Sequence, residues 1–440
     1  MAEAGQPRKG FAKIIAASVA GTTIEFYDFF LYGAAAAIVF DKVFFPSGDP
    51  ITGVLLALLT YAVGFLARPL GGVVFGHFGD RWGRRRTLAL SLVLMGGATV
   101  AIGLIPSYAT IGIAAPILLV LLRLVQGFAL GGEWGGAILL VAEHGDDRRR
   151  GFWSSWPQTG GPLGNMLATG VLAALTPTIT NEQFLSWGWR LPFAVSAVLV
   201  VIGLWLRHSI EESPLFEADA PREAAPIRVV LRDHRRQVAM AALANVGEKA
   251  AFYTFSIFLL TYLAQQVKAP RGVGLTAVAV ASVFQVAAML AGGALSDRYG
   301  RRPVSITLAV LLAAWGFLGL PLVDSGELGK VILVTVVGLT LHGLMTGAQV
   351  AFFAELFPSA VRYTGASLGY QLATVFGGSL APIVGVALLR RFGSTTPVAV
   401  FLAITEICTI AAFLCAGETR HRDLRSIEPD RSNQRPLSTK

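Results

Sequence analysis

Long apolar runs separated by short polar gaps set the rhythm of this chain. A helix needs roughly 20 mostly apolar residues to cross a bilayer. Runs of that kind lie at about 14–40, 51–75, 87–105, 112–141, 152–175, 190–206, 238–264, 274–295, 303–323, 330–354, 364–389 and 397–416. They predict an all-α membrane protein with twelve transmembrane helices. The longest polar stretch between runs, 207–237, is rich in Pro, Glu and Arg and leaves six runs on either side. The expected organisation is an N-terminal six-helix bundle (1–206), a cytoplasmic linker (207–237), a C-terminal six-helix bundle (238–416) and a cytoplasmic tail without structure (417–440). The first run is too long for a cleavable signal peptide and reads as a retained span.

Composition agrees. The 440 residues are 54% hydrophobic and only 14% charged, against about 25% charged in an average soluble domain. A disordered chain, a disulfide scaffold and an ordinary cytosolic enzyme are excluded. The net charge of +9 does not point to nucleic acid, because the basic residues collect in alternate gaps between the runs. With both termini and the even-numbered loops in the cytoplasm, that side holds 26 Lys and Arg and the other side 7. This bias predicts cytoplasmic termini. Arg68, Arg123 and Lys249 lie inside spans. Cys408 and Cys415 share one apolar run, and no metal-ligand spacing occurs. No cofactor or metal is expected.

The two halves repeat. Gly76-His77-Phe78-Gly79-Asp80-Arg81-Trp82-Gly83-Arg84-Arg85 follows the second run, and Gly293-Ala294-Leu295-Ser296-Asp297-Arg298-Tyr299-Gly300-Arg301-Arg302 follows the eighth. Gly, Asp, Arg, Gly, Arg and Arg keep the same internal spacing. Glu143…Arg150 after span 4 is echoed by Glu355…Arg362 after span 10. Duplicated six-helix halves are a common way to build a central site that opens to either side.

These motifs, with Arg123-x-x-Gln126-Gly127 in span 4, resemble the major facilitator superfamily. Glu25-Phe26-Tyr27-Asp28-Phe29, Gly131-Gly132-Glu133-Trp134-Gly135-Gly136, Trp187-Gly188-Trp189-Arg190-Leu191-Pro192-Phe193 and Glu211-Glu212-Ser213-Pro214-Leu215-Phe216 are similar to the metabolite:proton symporter family. Phe44-Phe45-Pro46 and residues 71–81 look most like its shikimate-transporter branch. The resemblance covers essentially the whole chain. It implies the major facilitator fold, in two pseudo-symmetric six-helix bundles, and proton-driven uptake of a small metabolite: an organic acid, an oxoacid, or proline and betaine. Two departures stand out. Phe26 occupies a position where the family has Trp, and Gly161-Pro162-Leu163-Gly164-Asn165 in span 5 is partly similar to an element of drug antiporters.

Ionisable groups at mid-bilayer cost several kcal/mol unless paired or facing a wet cavity. Glu25, Asp28 and Tyr32 share one helical stripe, as do Arg123, Gln126 and Glu133. Both stripes are expected to face the bundle interior, which allows Asp28 to pair with Arg123. In sugar-type facilitators such a pair couples the proton, so the resemblance implies that role for Asp28 and Arg123, with Glu25 and Glu133 as weaker candidates. The alternative is a static salt bridge. Arg68 and Lys249 are candidates to receive a substrate carboxylate. Glu248 precedes Lys249, and successive residues on a helix diverge by about 100°, so at most one is expected to point squarely at the cavity. The stripe Asn245, Lys249, Tyr253 favours Lys249. Gln126, Gln158, Asn165, Gln285, His342, Gln349 and Tyr370 are further candidate substrate contacts, with helix–helix hydrogen bonding as the commoner use of such groups. His342 alone reads as a satisfied packing residue, and Glu406 has no evident partner. The small-residue ridge Gly127, Gly131, Gly135 is a packing feature.

The repeated turns read as a cytoplasmic gate. Asp80 and Asp297 are expected at helix N-termini, where the dipole favours an anion. Arg81, Arg84, Arg85, Arg298, Arg301, Arg302 and Arg362 are expected to bridge to Glu143, Glu212 and Glu355 when that side is shut. An ATP-driven pump is disfavoured, because the chain has no Gly-x-x-x-x-Gly-Lys-Ser/Thr. An enzyme is disfavoured too, since neither His-x-x-x-His nor Gly-x-Ser-x-Gly occurs. The expected partners are a small molecule, a proton and the bilayer, with the chain as a monomer. The open alternatives are symport of a zwitterion and export by proton antiport.

Overall fold

The structure is a computed structural model of the chain and describes residues 11–47, 49–82, 84–131, 141, 147–208, 226–358, 361–420 and 422. Among these, every regular element is helical. Each run found in the sequence falls on a helix: span 1 Phe11–Ile38, span 2 Pro50–Trp82, span 3 Arg84–Leu104, span 4 Ala114–Leu130, span 5 Arg150–Gln158 with Gly160–Leu175, and span 6 Leu191–His208. In the second half they are span 7 Arg235–Val267, span 8 Arg271–Tyr299, span 9 Arg301–Ser325, span 10 Leu328–Leu356, span 11 Thr364–Phe392 and span 12 Thr396–Ala416. Among the described residues, eight of these helices are long and apolar enough to cross a membrane by length and composition. Helix 2 runs past its expected end at 75 to Trp82, because the charged repeat continues the helix beyond the apolar stretch. Part of the expected linker, Pro226–Asp233, is also helical, and Val230 there is buried against Val238 and Phe357.

Glycines set the tightest packing. A methyl group on Gly127 would lie 1.9 Å from the Gly64 carbonyl oxygen, and one on Gly131 would lie 1.9 Å from that of Arg68, so spans 2 and 4 touch through bare backbone. Spans 8 and 10 do the same through Gly292 and Gly347. Gly127 and Gly131 of the ridge read in the sequence are therefore a helix contact, and they fix the backbone that carries Arg68; Gly135 lies outside the described residues. Pro69, inside span 2, cannot donate to the Phe65 carbonyl and loosens that same turn. π-helical turns interrupt span 7 at Thr254–Phe258 and Leu263–Val267, and span 11 at Thr374–Ser379. Such turns often mark functional sites.

The first six helices meet the second six at both ends. At the end carrying the Asp297 repeat, spans 5 and 8 nearly touch: a methyl group on Gly293 would lie 2.5 Å from the Gly151 carbonyl oxygen. At the opposite end Arg390 reaches Asp49 at 2.7 Å and Gln265 reaches Asp41 at 3.3 Å. Asp49 also accepts from the Thr52 hydroxyl and the Ile51 N–H, which with Arg390 hold its carboxyl below the usual carboxylate range. Between these contacts Phe29, Tyr61, Phe65 and Tyr253 pack ring against ring. Leucines and valines such as Leu66, Leu70, Val198, Val201 and Leu318 cover the outside, as a lipid-facing surface requires.

Candidate functional site

Arg68 stands at the middle. It is 3% exposed, and its guanidinium carbon lies 4.3 Å from the Phe29 ring centre and 4.5 Å from that of Phe65. Tyr253 of span 7 packs edge-on against Phe65 at 5.8 Å and against Tyr61 at 6.1 Å, so this cage joins the two halves. Arg68 Nε and Nη2 have no hydrogen-bond partner. These two nitrogens form one edge of the guanidinium, the edge that receives a carboxylate in bidentate fashion. Phe29, Tyr61 and Phe65 could not be read as its surround from the sequence, since single aromatics in apolar helices carry no periodic signal.

Asp28 and Arg123 do not pair in this conformation, which corrects the expectation of a direct contact. Asp28 faces spans 3 and 6: its Oδ1 accepts from the Ser196 hydroxyl, and Gly96 lies beside Oδ2. Arg123 faces span 2, donating to the Tyr61 carbonyl at 3.1 Å and lying 4.0 Å from the Tyr32 ring centre. Gln126 sits between them, accepting from Arg123 at 2.8 Å and donating to Thr99 at 2.6 Å. Thr99 is one of the polar groups acting on Asp28. A two-residue polar relay thus separates acid and base. Glu25 is buried one turn earlier on span 1. Glu133 lies outside the described residues.

Glu248 and Lys249 were expected to diverge. Both are buried instead, and they converge, with Lys249 Nζ 2.9 Å from Glu248 Oε2. The long lysine stem curls back along the helix, because an ion pair offsets burial that a lone ammonium would not tolerate. Lys249 Nζ also lies 4.5 Å from the Tyr370 ring centre. Glu248 Oε1 meets His342 Nε2 at 2.7 Å and accepts from Thr346 at 2.6 Å, and His342 Nδ1 meets Gln285 Nε2 at 2.7 Å. His342 is satisfied, as read, but as one link in a polar chain across spans 7, 8 and 10. Asn245 donates to Gln349 at 2.8 Å, a helix–helix bond of the commoner kind. Asn165 donates to Ser282 at 3.4 Å between spans 5 and 8, and Gln158 is buried at the break in span 5.

The gate is built partly from expected residues and partly from others. Glu355, fully buried, accepts from Arg150 at 3.1 Å, from Arg301 at 3.1 Å and from the Thr419 hydroxyl at 2.6 Å. Arg301 also reaches Asp297 at 2.6 Å. Asp297 lies in the last turn of its own helix, not at an N-terminus as expected. It caps the N-terminus of span 5 across the interface, accepting from the Gly151 and Phe152 N–H groups at 2.8 and 2.9 Å. The dipole argument holds, but for a helix of the other half. Arg298 is exposed and Arg302 half-buried, and Arg362 is buried and donates to the Phe357 carbonyl at 3.2 Å. Residues following span 12, assigned to an unstructured tail, lie on this gate: Glu418 accepts from the Arg301 and Arg302 N–H groups at 3.0 and 3.1 Å. Burial works against its charge, but these bonds hold its carboxyl below the usual range. Glu143 and Glu212 lie outside the described residues, as do the side chains of Asp80, Arg81, Arg84 and Arg85.

Glu355→Ala would leave Arg150 and Arg301 buried without their shared acceptor, at a cost of about 3–5 kcal/mol. In a chain with Cys408 and Cys415 replaced by serine, the buried Ser154 changed to cysteine is then expected to react with a polar maleimide more than about tenfold faster.

A repeated helical bundle with charged groups buried between its halves is the architecture of a membrane transporter, and not of an enzyme. The fold matches the xylose transporter of Escherichia coli in a partially occluded inward-open conformation, with TM-score 0.73, 18% identity, and 94% of this chain and 100% of that one covered. Residues 13–232 match the family Sugar (and other) transporter, and residues 241–439 match the Major Facilitator Superfamily. The chain is 44% identical over 424 residues to the inner membrane metabolite transport protein YhjE of Escherichia coli, covering 94% of this chain and 95% of that one. It is 40% identical to the shikimate transporter of the same organism, with 88% and 90% covered, and 33% identical to the proline/betaine transporter of Salmonella typhimurium, with 96% and 86% covered. The chain belongs to the major facilitator superfamily, among its metabolite transporters, and its fold is that family's twelve-helix arrangement.

Proposed function

We propose that this transporter takes up a small organic acid together with a proton, by alternating access across a bacterial inner membrane, as a monomer with both termini in the cytoplasm. The observation that carries this reading is Arg68: a permanently charged group, buried between aromatic rings where the two halves meet, with one edge of its fork unpartnered. A carboxylate supplies the missing acceptors. Lys249 is already neutralised by Glu248, so the centre favours one carboxylate on a small ring or chain such as shikimate or an oxoacid. Asp28 is the proposed proton carrier. Its separation from Arg123 by Gln126 and Thr99 gives the pair a second arrangement to move into, and closing or opening that gap would release or load a proton. The shikimate transporter's similarity supports the substrate class. A zwitterion such as betaine would bind its cation on aromatic faces, and the Phe29 and Phe65 faces are taken by Arg68.

Uptake into proteoliposomes under an inward proton gradient, with labelled shikimate, 2-oxoglutarate, citrate, proline and betaine, tests the proposal. Accumulation of one of the acids that collapses with protonophore is expected. Accumulation of proline or betaine alone would overturn the substrate class. Efflux of preloaded hydrophobic dye without uptake of any panel member would favour antiport.

A further inference from the structure

Glu406, near the middle of span 12, is fully buried, and neither of its carboxyl oxygens has a hydrogen-bond partner. An isolated carboxylate in an apolar interior costs far more than a fold tolerates, so such a group stays neutral by keeping its proton. Its position is specific. A methyl group on Gly247 would lie 2.6 Å from Glu406 Oε2, so the bare backbone of span 7 provides the slot, one residue before Glu248. One turn on along span 12, the Thr409 hydroxyl accepts from the Gly247 N–H at 3.1 Å and donates to the Leu243 carbonyl at 3.2 Å. A side-chain hydroxyl thus bridges the two ends of a helical hydrogen-bond step in span 7, a site where helices bend.

The charged groups around Glu406 are few. Glu248 of span 7 follows the Gly247 slot directly in the chain, with Lys249 paired to it. Span 9 carries Arg301 and Arg302 at its gate end, span 11 carries Arg390 and Arg391 at the other, and Asp324 ends span 9 on that same far side. From the middle of span 12 those ends are about ten residues away, roughly 15 Å of helix. Glu248 is therefore the charge that governs whether the Glu406 proton stays.

We propose that Glu406 is a second proton-binding site, in the C-terminal half, coupled to Glu248 through the slot at Gly247. When Lys249 turns away from Glu248, Glu248 loses its counter-charge and holds the Glu406 proton more firmly. When Lys249 returns and the cleft admits water, the Glu406 O–H bond breaks, the proton passes to water and a carboxylate remains. This deepens the symport reading and rests on it for the transport consequence, while proton binding itself is measured without any substrate.

The test is infrared spectroscopy of the full chain in lipid. The difference spectrum between wild type and Glu406→Gln at neutral pH is expected to show the C=O stretch of a protonated carboxylic acid, shifted in heavy water. Alkaline titration is expected to remove this band, at lower pH when Glu248→Gln takes away the neighbouring negative charge. Absence of the band overturns the proposal, as does a band whose titration ignores Glu248→Gln. If the Gln variant does not fold, Glu406→Asp serves, with a displaced band expected and an unchanged spectrum overturning it. Proton-driven uptake of the panel acids is then expected to fall in Glu406→Gln while exchange of preloaded substrate continues. Wild-type accumulation in that variant would leave a protonated but static group and sink the coupling.

Discussion

Arg68→Ala is expected to weaken uptake of a carboxylic acid by about a hundredfold or more in half-saturating concentration, because two charge-assisted hydrogen bonds at about 1.5–3 kcal/mol each are lost. Arg68→Lys is not expected to restore it. An ammonium presents a single point charge where the guanidinium presents two parallel N–H groups, and it stacks poorly between Phe29 and Phe65, which hold the guanidinium on its two faces. Initial rates over a substrate series, for both variants against wild type, check this. If Arg68→Ala reduces uptake of a zwitterion and of an acid equally, Arg68 shapes the cage and does not bind the carboxylate.

Asp28→Asn is expected to abolish uphill transport and spare downhill exchange. Where Asp28 alone carries the proton, one per monoanion, the process is electroneutral. A gradient of one pH unit then sustains about tenfold accumulation. The variant is expected to bring inside and outside concentrations to equality, because the amide keeps the hydrogen bond to Ser196 without a titrating group. Counterflow of labelled against unlabelled substrate measures what remains. Accumulation in Asp28→Asn at the wild-type ratio would move the proton to another acid, with Glu406 and Glu25 next in line.

The helices, their repeat and most of the buried charges were legible in the sequence, because each depends on local composition. Apolar length specifies a span, and the shared spacing in Gly76–Arg85 and Gly293–Arg302 specifies the duplication. The Gly127 and Gly131 ridge could be read as packing because small residues four apart leave a groove whatever lies opposite. Partner choice was not legible. Asp28 finds Ser196 and not Arg123, Asp297 caps a helix beginning at Arg150, and Glu248 takes both Lys249 and His342. Each outcome depends on the rotation of one helix against another, which a stripe leaves free over a wide arc. The convergence of Glu248 and Lys249 shows a further limit: helical angles locate Cβ atoms, whereas a lysine carries its charge several bonds further out. Glu406 was visible as an oddity only, since the slot that admits it is defined by an absent side chain on another helix.

The closure between spans 5 and 8 relies on backbone against backbone at Gly151 and Gly293. Contacts of that kind have almost no reach. Dispersion between close atoms fades within about an ångström of separation, and the cap of Asp297 on two N–H groups weakens as steeply once its geometry is lost. Long flexible side chains would stretch and follow the halves as they part. Glycine faces do not follow, so this seam has few half-shut positions and behaves as a latch, not a spring. For a carrier driven by an ion gradient that matters for economy: the shorter the interval in which neither seal is secure, the fewer protons cross without cargo.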